Sequence, residues 1–213
     1  MLSMRHIETD VVHGCKGYDK TTGAVSFPIY HSATFRHPAL NETTGYDYSR
    51  LQNPTREELE NTVAKLDGGK FGFAFSSGMA AISTIVKLFK SGDHILVSDD
   101  LYGGSYRLFE EIYSRFGISF TYLDMSSTDA INSAIQYNTV AFFIESPTNP
   151  TMKIADIVSI AKLAKKRNIL TIVDNTFLTP YFQQPLKLGA DIVIYSGTKY
   201  LAGHNDTLAG FIV

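Results

Sequence analysis

Two spacings of apolar residues alternate along most of this chain. After Pro54, Leu59, Val63 and Leu66 fall on one helical face, and Gly68-Gly69 supplies a stop. Thr55-Arg56-Glu57-Glu58 has the form of a capping box, which predicts that Thr55 caps this helix. Short apolar runs then predict strands at Phe71–Phe75, Ile95–Ser98, Phe120–Leu123, Val140–Ile144, Leu170–Val173, Asp191–Tyr195 and Leu208–Val213. Helical spacing predicts helices between them, over Met79–Leu88, around Ser105–Ser114 and Asp129–Ile135, and through Ile157, Ile160, Ala161 and Ala164. Residues 1–50 hold no sustained period. They are rich in turn formers (Gly14, Gly17, Gly23, Pro28, Pro38, Gly45) and aromatics, and read as an irregular arm. The expected division is an arm over 1–53 and an α/β domain over 54–213.

Strands that alternate with helices predict an α/β fold with a mostly parallel sheet. Ligands of such sheets sit at the carboxyl ends of the strands. Those ends carry Ser76-Ser77-Gly78, Ser98-Asp99-Asp100, Glu145-Ser146, Asp174-Asn175-Thr176 and Ser196-Gly197-Thr198-Lys199.

Composition narrows the class without choosing the chemistry. The 213 residues are 44% hydrophobic and 19% charged, enough for a sizeable core and unlike a disordered chain. A net charge of -2 offers no basic footprint for nucleic acid or a membrane surface. The single cysteine, Cys15, forbids an intrachain disulfide and fits a reducing cytoplasm. Met1–Asp10 lacks the apolar core of a signal peptide, and no apolar stretch is long enough to span a bilayer. The six histidines are scattered, with no His-Glu-x-x-His and no cysteine pair, so no metal site is expected.

The strand ends suggest roles for particular side chains. Lys199, flanked by Ser196 and Thr198, is placed to form an imine with a cofactor aldehyde while its neighbours hold a phosphate; a lone surface lysine is the plainer alternative. Asp174 can pair with a protonated ring nitrogen, or simply cap a turn. Ser76-Ser77-Gly78-Met79 joins a strand to a helix. It reads either as a phosphate cup, with Gly78 allowing close backbone approach, or as an ordinary turn. Tyr102 before Gly103-Gly104 can stack on a planar ring. Tyr46, Tyr48 and Arg50 cluster in the arm and suit phosphate. Taken together, a ring partner, a stacking ring, a phosphate cup and an imine lysine are what pyridoxal 5'-phosphate (PLP) requires.

The sequence also closely resembles the Cys/Met-metabolism PLP enzymes: cystathionine γ-synthase, cystathionine γ- and β-lyases, and methionine γ-lyase. Six ordered motifs carry the resemblance: Tyr46–Thr55, Ser76–Ala81, Asp100–Gly104, Glu145–Pro150, Val173–Phe177 and Ser196–Asp206. It implies the large domain of a PLP-dependent transferase of the aspartate aminotransferase type (fold type I), with an extended N-terminal arm. Lys199 then carries the cofactor and shuttles protons. Asp174 binds the ring nitrogen, with Thr176 beside it. Gly78, Met79, Ser196 and Thr198 hold the phosphate, and Tyr48 and Arg50 hold it from a neighbouring subunit. Tyr102 stacks on the ring and exchanges a proton with the leaving group. Tyr46, Glu145 and Asn149 are expected to face substrate. The implied reaction is trans-sulfuration on cystathionine, or on an O-acylhomoserine with cysteine, in a homo-oligomer built as a dimer of dimers.

Members of that family are considerably longer. A C-terminal small domain follows the lysine and supplies an arginine for the substrate carboxylate. This chain, ending at Val213, is expected to lack that domain, as a fragment or an inactive truncated remnant. Methionine γ-lyases tend to have cysteine where Gly104 stands, which tilts the resemblance toward a cystathionine enzyme. A rival class is a serine hydrolase with Ser76 on a nucleophile elbow and Asp174 and His204 following in chain order.

Overall fold

The computed structural model describes residues 6–213, so the first five positions of the Met1–Asp10 segment lie outside the described residues. The chain divides into two units, Met1–Ala74 and Phe75–Val213. The sequence division after Asn53 would place the first long helix with the domain; by internal contacts that helix groups with the arm.

In the first unit a short helix, α1 (Ile7–His13), was not legible from periodicity: it buries none of its residues. The long helix, α2 (Pro54–Asp67), begins one residue before the expected capping box. Asn53 is its N-cap and accepts the Thr55 N–H at 2.9 Å, with Pro54 at the first helical position, where a missing N–H costs nothing. The two residues expected to close the box are used elsewhere. The Thr55 hydroxyl donates to the Pro28 carbonyl and accepts the Tyr30 N–H, both at 2.9 Å. Glu58 is buried, and its Oε1 accepts the N–H groups of Cys15 and Lys16 at 3.0 and 2.9 Å. An irregular arm still has to satisfy its backbone, and here helix side chains do so.

A seven-stranded sheet runs in the order β1-β7-β6-β5-β4-β2-β3. Its strands are β1 (Phe73–Phe75), β2 (His94–Ser98), β3 (Ser119–Leu123), β4 (Thr139–Glu145), β5 (Leu170–Asp174), β6 (Ile192–Ser196) and β7 (Gly210–Ile212). The pairs β2–β3, β2–β4, β4–β5 and β5–β6 are parallel, and β7 runs antiparallel to β6. All seven predicted strands are present: β1 and β7 are shorter than predicted, β2 to β5 run one residue or more longer, and β6 is shifted by one.

Alternate residues of the central strands face two cores. Ile95, Val97, Ala141 and Phe143 pack with Ala81, Ile82, Ile85 and Val86 of α3 (Gly78–Val86). Leu96, Phe142 and Ile144 pack with Ile131 of α5 (Thr128–Ala134) and with Ile157, Ile160 and Ala164 of α6 (Ile157–Arg167). Both faces of the sheet are therefore covered, which is why its strands read as continuous apolar runs. The helix expected around Ser105–Ser114 is not uniform. It is α-helical as α4 (Gly103–Arg107), then π-helical to Ile112, then a 3-10 turn to Phe116. The pitch changes where Phe109 enters the core against Phe120 and Phe143, at ring distances of 4.9 and 5.2 Å. Two short turns of helix, α7 (Thr179–Phe182) and α8 (Pro185–Leu188), separate β5 from β6.

One close approach in this unit admits only glycine. A Cβ on Gly210 would stand 2.0 Å from the Ser77 carbonyl oxygen, which accepts the Ala81 N–H at the start of α3. Backbone cannot rotate aside as a side chain can. Gly210→Ala is therefore expected to lower stability by about 1–3 kcal/mol, seen as a reduced urea midpoint at unchanged m.

Candidate active site

The carboxyl ends of the parallel strands surround a cavity of about 680 Å³. Its lining draws on the ends of five strands, β3 contributing none: Ser77, Gly78 and Met79 after β1, Tyr102 after β2, and Glu145 and Asn149 at and after β4. Asp174 and Thr176 follow from β5, and Ser196, Thr198 and Lys199 from β6. The strand-end rule thus brings together nearly all the residues singled out in the second unit.

Asp174 is buried, and Thr176 fixes one of its oxygens. The Thr176 N–H and hydroxyl both donate to Oδ1, at 3.1 and 2.6 Å. The same hydroxyl accepts the Ser196 N–H at 2.8 Å, so Thr176 ties the end of β5 to the end of β6. Burial pushes the Asp174 carboxyl up from its ordinary value against these hydrogen bonds. Glu145, also buried, is pushed up to about 8, first by burial and then by the charge of Asp174. Two buried carboxyls that repel each other define a place where a cation is stabilised.

The start of α3 forms another part of the wall. The Ser77 hydroxyl accepts the Ala80 N–H at 3.1 Å and caps the helix. The N–H groups of Gly78 and Met79, in its first turn, have no partner within the helix and suit an anion. Gly78 matters by what it lacks: a Cβ there would lie 2.8 Å from Ser196 Cβ. Its absence lets the helix start sit against the end of β6. Lys199 lies in the turn that follows, exposed, with its main chain held by Ser196 and Gly203. Tyr102 is 46% exposed at the cavity. Thr198 is less free than expected: its hydroxyl donates to the Ala209 carbonyl at 3.2 Å and accepts the Ala209 N–H at 3.1 Å. A phosphate would have to draw that proton away.

The residues present fit PLP: a buried acidic pair for a cationic ring, free helix N–H groups for a phosphate, and an amine lining the same cavity. A fold of this kind with that provision is the α/β domain type of PLP-dependent enzymes. More narrowly, the chain belongs to the family of Cys/Met metabolism PLP-dependent enzymes, whose model matches residues 8–213. It is 54% identical over 209 residues to a cystathionine γ-synthase/O-acetylhomoserine (thiol)-lyase of Bacillus subtilis, covering 98% of this chain and 56% of that protein. It is 49% identical over 209 residues to a cystathionine β-lyase of Lactococcus lactis, covering 98% and 55%. A crystal structure of cystathionine γ-lyase from Lactobacillus plantarum complexed with L-serine superposes with a TM-score of 0.94 at 47% identity, again covering 98% and 55%. The chain spans about half the length of the curated relatives it matches.

Tyr46, Tyr48 and Arg50 belong to the first unit. The Tyr46 hydroxyl donates to Glu57, which pushes its pKa up to about 12. The Arg50 guanidinium lies 5.0 Å from the centre of the Tyr48 ring. The hydrolase constellation is not assembled. Neither Ser76 nor His204 lines the cavity; His204 is exposed and donates to the Ala202 carbonyl at 2.7 Å, and Asp174 is engaged by Thr176. Phe177 and Tyr200 line the cavity without having been singled out, their rings 5.9 Å apart. Each lies inside or beside a quoted motif, so adjacency to Thr176 and Lys199 was the available signal.

Proposed function

We propose that this chain binds PLP and forms the cofactor-holding part of a trans-sulfuration enzyme. Its substrates are cystathionine, or an O-acylhomoserine with cysteine. One observation carries the reading: Asp174, Lys199, Tyr102 and the start of α3 converge on a single cavity. When bound, PLP supplies an electron sink for the bond-breaking at the substrate's α-carbon. Asp174 keeps the ring nitrogen protonated, and Gly78, Met79, Ser196 and Thr198 hold the phosphate. The Lys199 amine would hold the cofactor and, as a free base, would take and return protons beside the substrate. Tyr102 covers one ring face and exchanges a proton with the leaving group. Asn149 faces substrate at the cavity wall.

The arm, residues 1–53, serves a neighbouring copy. Tyr48, 37% exposed, and Arg50 present a phenol and a guanidinium to that copy's phosphate, within a dimer of dimers, and Tyr46 faces its substrate. No helix among the described residues is long and apolar enough to cross a membrane. We place the protein in the cytoplasm, where Cys15, a free thiol, stays reduced.

The test is to titrate the purified chain with PLP, reduce it with borohydride and map the modified peptide. A single labelled peptide containing Lys199 is expected. An unchanged visible spectrum, or a label on another lysine, overturns the reading.

A further inference from the structure

Glu145 was expected to face substrate, yet both its oxygens are taken by the main chain. Oε2 accepts the Tyr102 N–H at 2.9 Å, and Oε1 accepts the Asn149 N–H at 2.8 Å. The residue is 5% exposed, and its own N–H donates to the buried Ser98 hydroxyl at 3.1 Å. One carboxylate at the end of β4 therefore holds the segment after β2 and the segment after β4. Both segments carry cavity residues.

Burying a carboxylate beside Asp174 is costly, and an amide could not do the same work. Two N–H donors converging from different loops need two acceptor oxygens, which a carboxylate has and a glutamine lacks. Neighbouring bonds reinforce the arrangement. Asp100 Oδ2 accepts the Thr151 N–H at 3.0 Å and the hydroxyls of Thr148 and Thr151, and Lys153 reaches Asp99 at 2.9 Å. Those bonds fasten the two loops at their outer ends. Glu145 fastens them at the cavity.

We propose that Glu145 is a positioning residue: its two carboxyl oxygens set the placement of Tyr102 relative to Asn149 and so the seat of the cofactor ring. For the ring this rests on the PLP reading above; the clamp itself does not.

The test uses the 213-residue chain with Glu145→Gln, which keeps the side chain's volume and one acceptor. In the cofactor-free chain, amide hydrogen exchange at Tyr102 or Asn149, whichever N–H is left facing the new amide nitrogen, is expected to accelerate at least tenfold, about what leaving one buried donor unpaired allows. Exchange in β5 stays unchanged, which shows that the fold is intact. With PLP, the dissociation constant rises about tenfold. The induced circular dichroism of the bound cofactor weakens, while Lys199 remains the labelled lysine. Thr171→Val is the control. It removes a buried hydroxyl with no hydrogen-bond partner from β5, and leaves the exchange, affinity and dichroism as in wild type. Should Glu145→Gln unfold, Ser98→Ala, which removes the acceptor for the Glu145 N–H, is expected to move the same readouts about threefold in the same direction. Wild-type exchange at Tyr102 and Asn149 in folded variants overturns the clamp; a wild-type dissociation constant and dichroism overturn its effect on the ring. If wild type takes no PLP while exchange responds as expected, the cofactor reading fails and the clamp stands.

Discussion

Lys199→Ala is expected to abolish covalent capture of PLP. After borohydride no peptide should retain the cofactor, and the visible band of bound cofactor should revert to that of the free aldehyde. The side chain can be removed cleanly. The turn after β6 is held by main-chain bonds, from the Lys199 N–H to the Ser196 carbonyl at 3.2 Å and from the Gly203 N–H to the Lys199 carbonyl at 2.9 Å. An exposed side chain outside those bonds should change stability by no more than about 0.5 kcal/mol. Weak reversible binding should persist, because Asp174 and the first turn of α3 are untouched. In any catalytically competent form of the protein, turnover should fall by at least about 10²–10⁴-fold, the contribution of a positioned acid–base group, with the lost anchor adding to it. Lys199→Arg separates the two roles of charge and nucleophile: it keeps a cation in the turn but cannot be captured, and should behave like alanine in the borohydride experiment. A retained covalent label in Lys199→Ala would move the site to another lysine.

The strands were legible because the sheet is covered on both faces. Each buried strand then reads as a run of Ile, Val, Leu and Phe, and no partner outside the chain is needed to explain it. The cavity was legible for a related reason. In a parallel sheet every strand delivers its last residue to the same edge, so a lysine, an aspartate and a helix start far apart in sequence had to meet. What the sequence did not disclose are side-chain bonds to distant main chain. Glu145 and Tyr102 are 43 positions apart, as are Glu58 and Cys15, and neither pairing leaves a local pattern. The misplaced cap has the same origin. Thr55 and Glu58 have the right spacing for a capping box, but the arm's unsatisfied groups near Pro28, Tyr30 and Cys15 compete for them. The pitch change after Arg107 follows from the placement of Phe109 in the core, a tertiary demand on a segment whose own spacing is helical.

Asp174→Asn should give two effects of opposite sign. Asparagine keeps the shape and an acceptor for the Thr176 N–H, but it cannot stabilise a cationic ring. Removing one partner of a buried charge pair costs about 3–5 kcal/mol, so PLP affinity should fall by about two to three and a half orders of magnitude. In the cofactor-free chain the same change should be stabilising at alkaline pH. Glu145, with an ordinary value of 4.5, is raised to about 8 in the folded chain, so the fold binds a proton that the unfolded chain releases. Stability from this group is therefore lost as pH rises between those two values, and the loss is complete above the folded value. Part of the shift comes from the charge of Asp174 and disappears with it; each unit recovered is worth about 1.4 kcal/mol. Urea midpoints measured from pH 5 to pH 9 should fall less steeply for Asp174→Asn than for wild type. Loss of PLP affinity without that flattening would mean that Asp174 meets the ring but does not press on Glu145. Flattening with wild-type affinity would mean that a carboxyl raised in the fold has been removed but the ring nitrogen sits elsewhere.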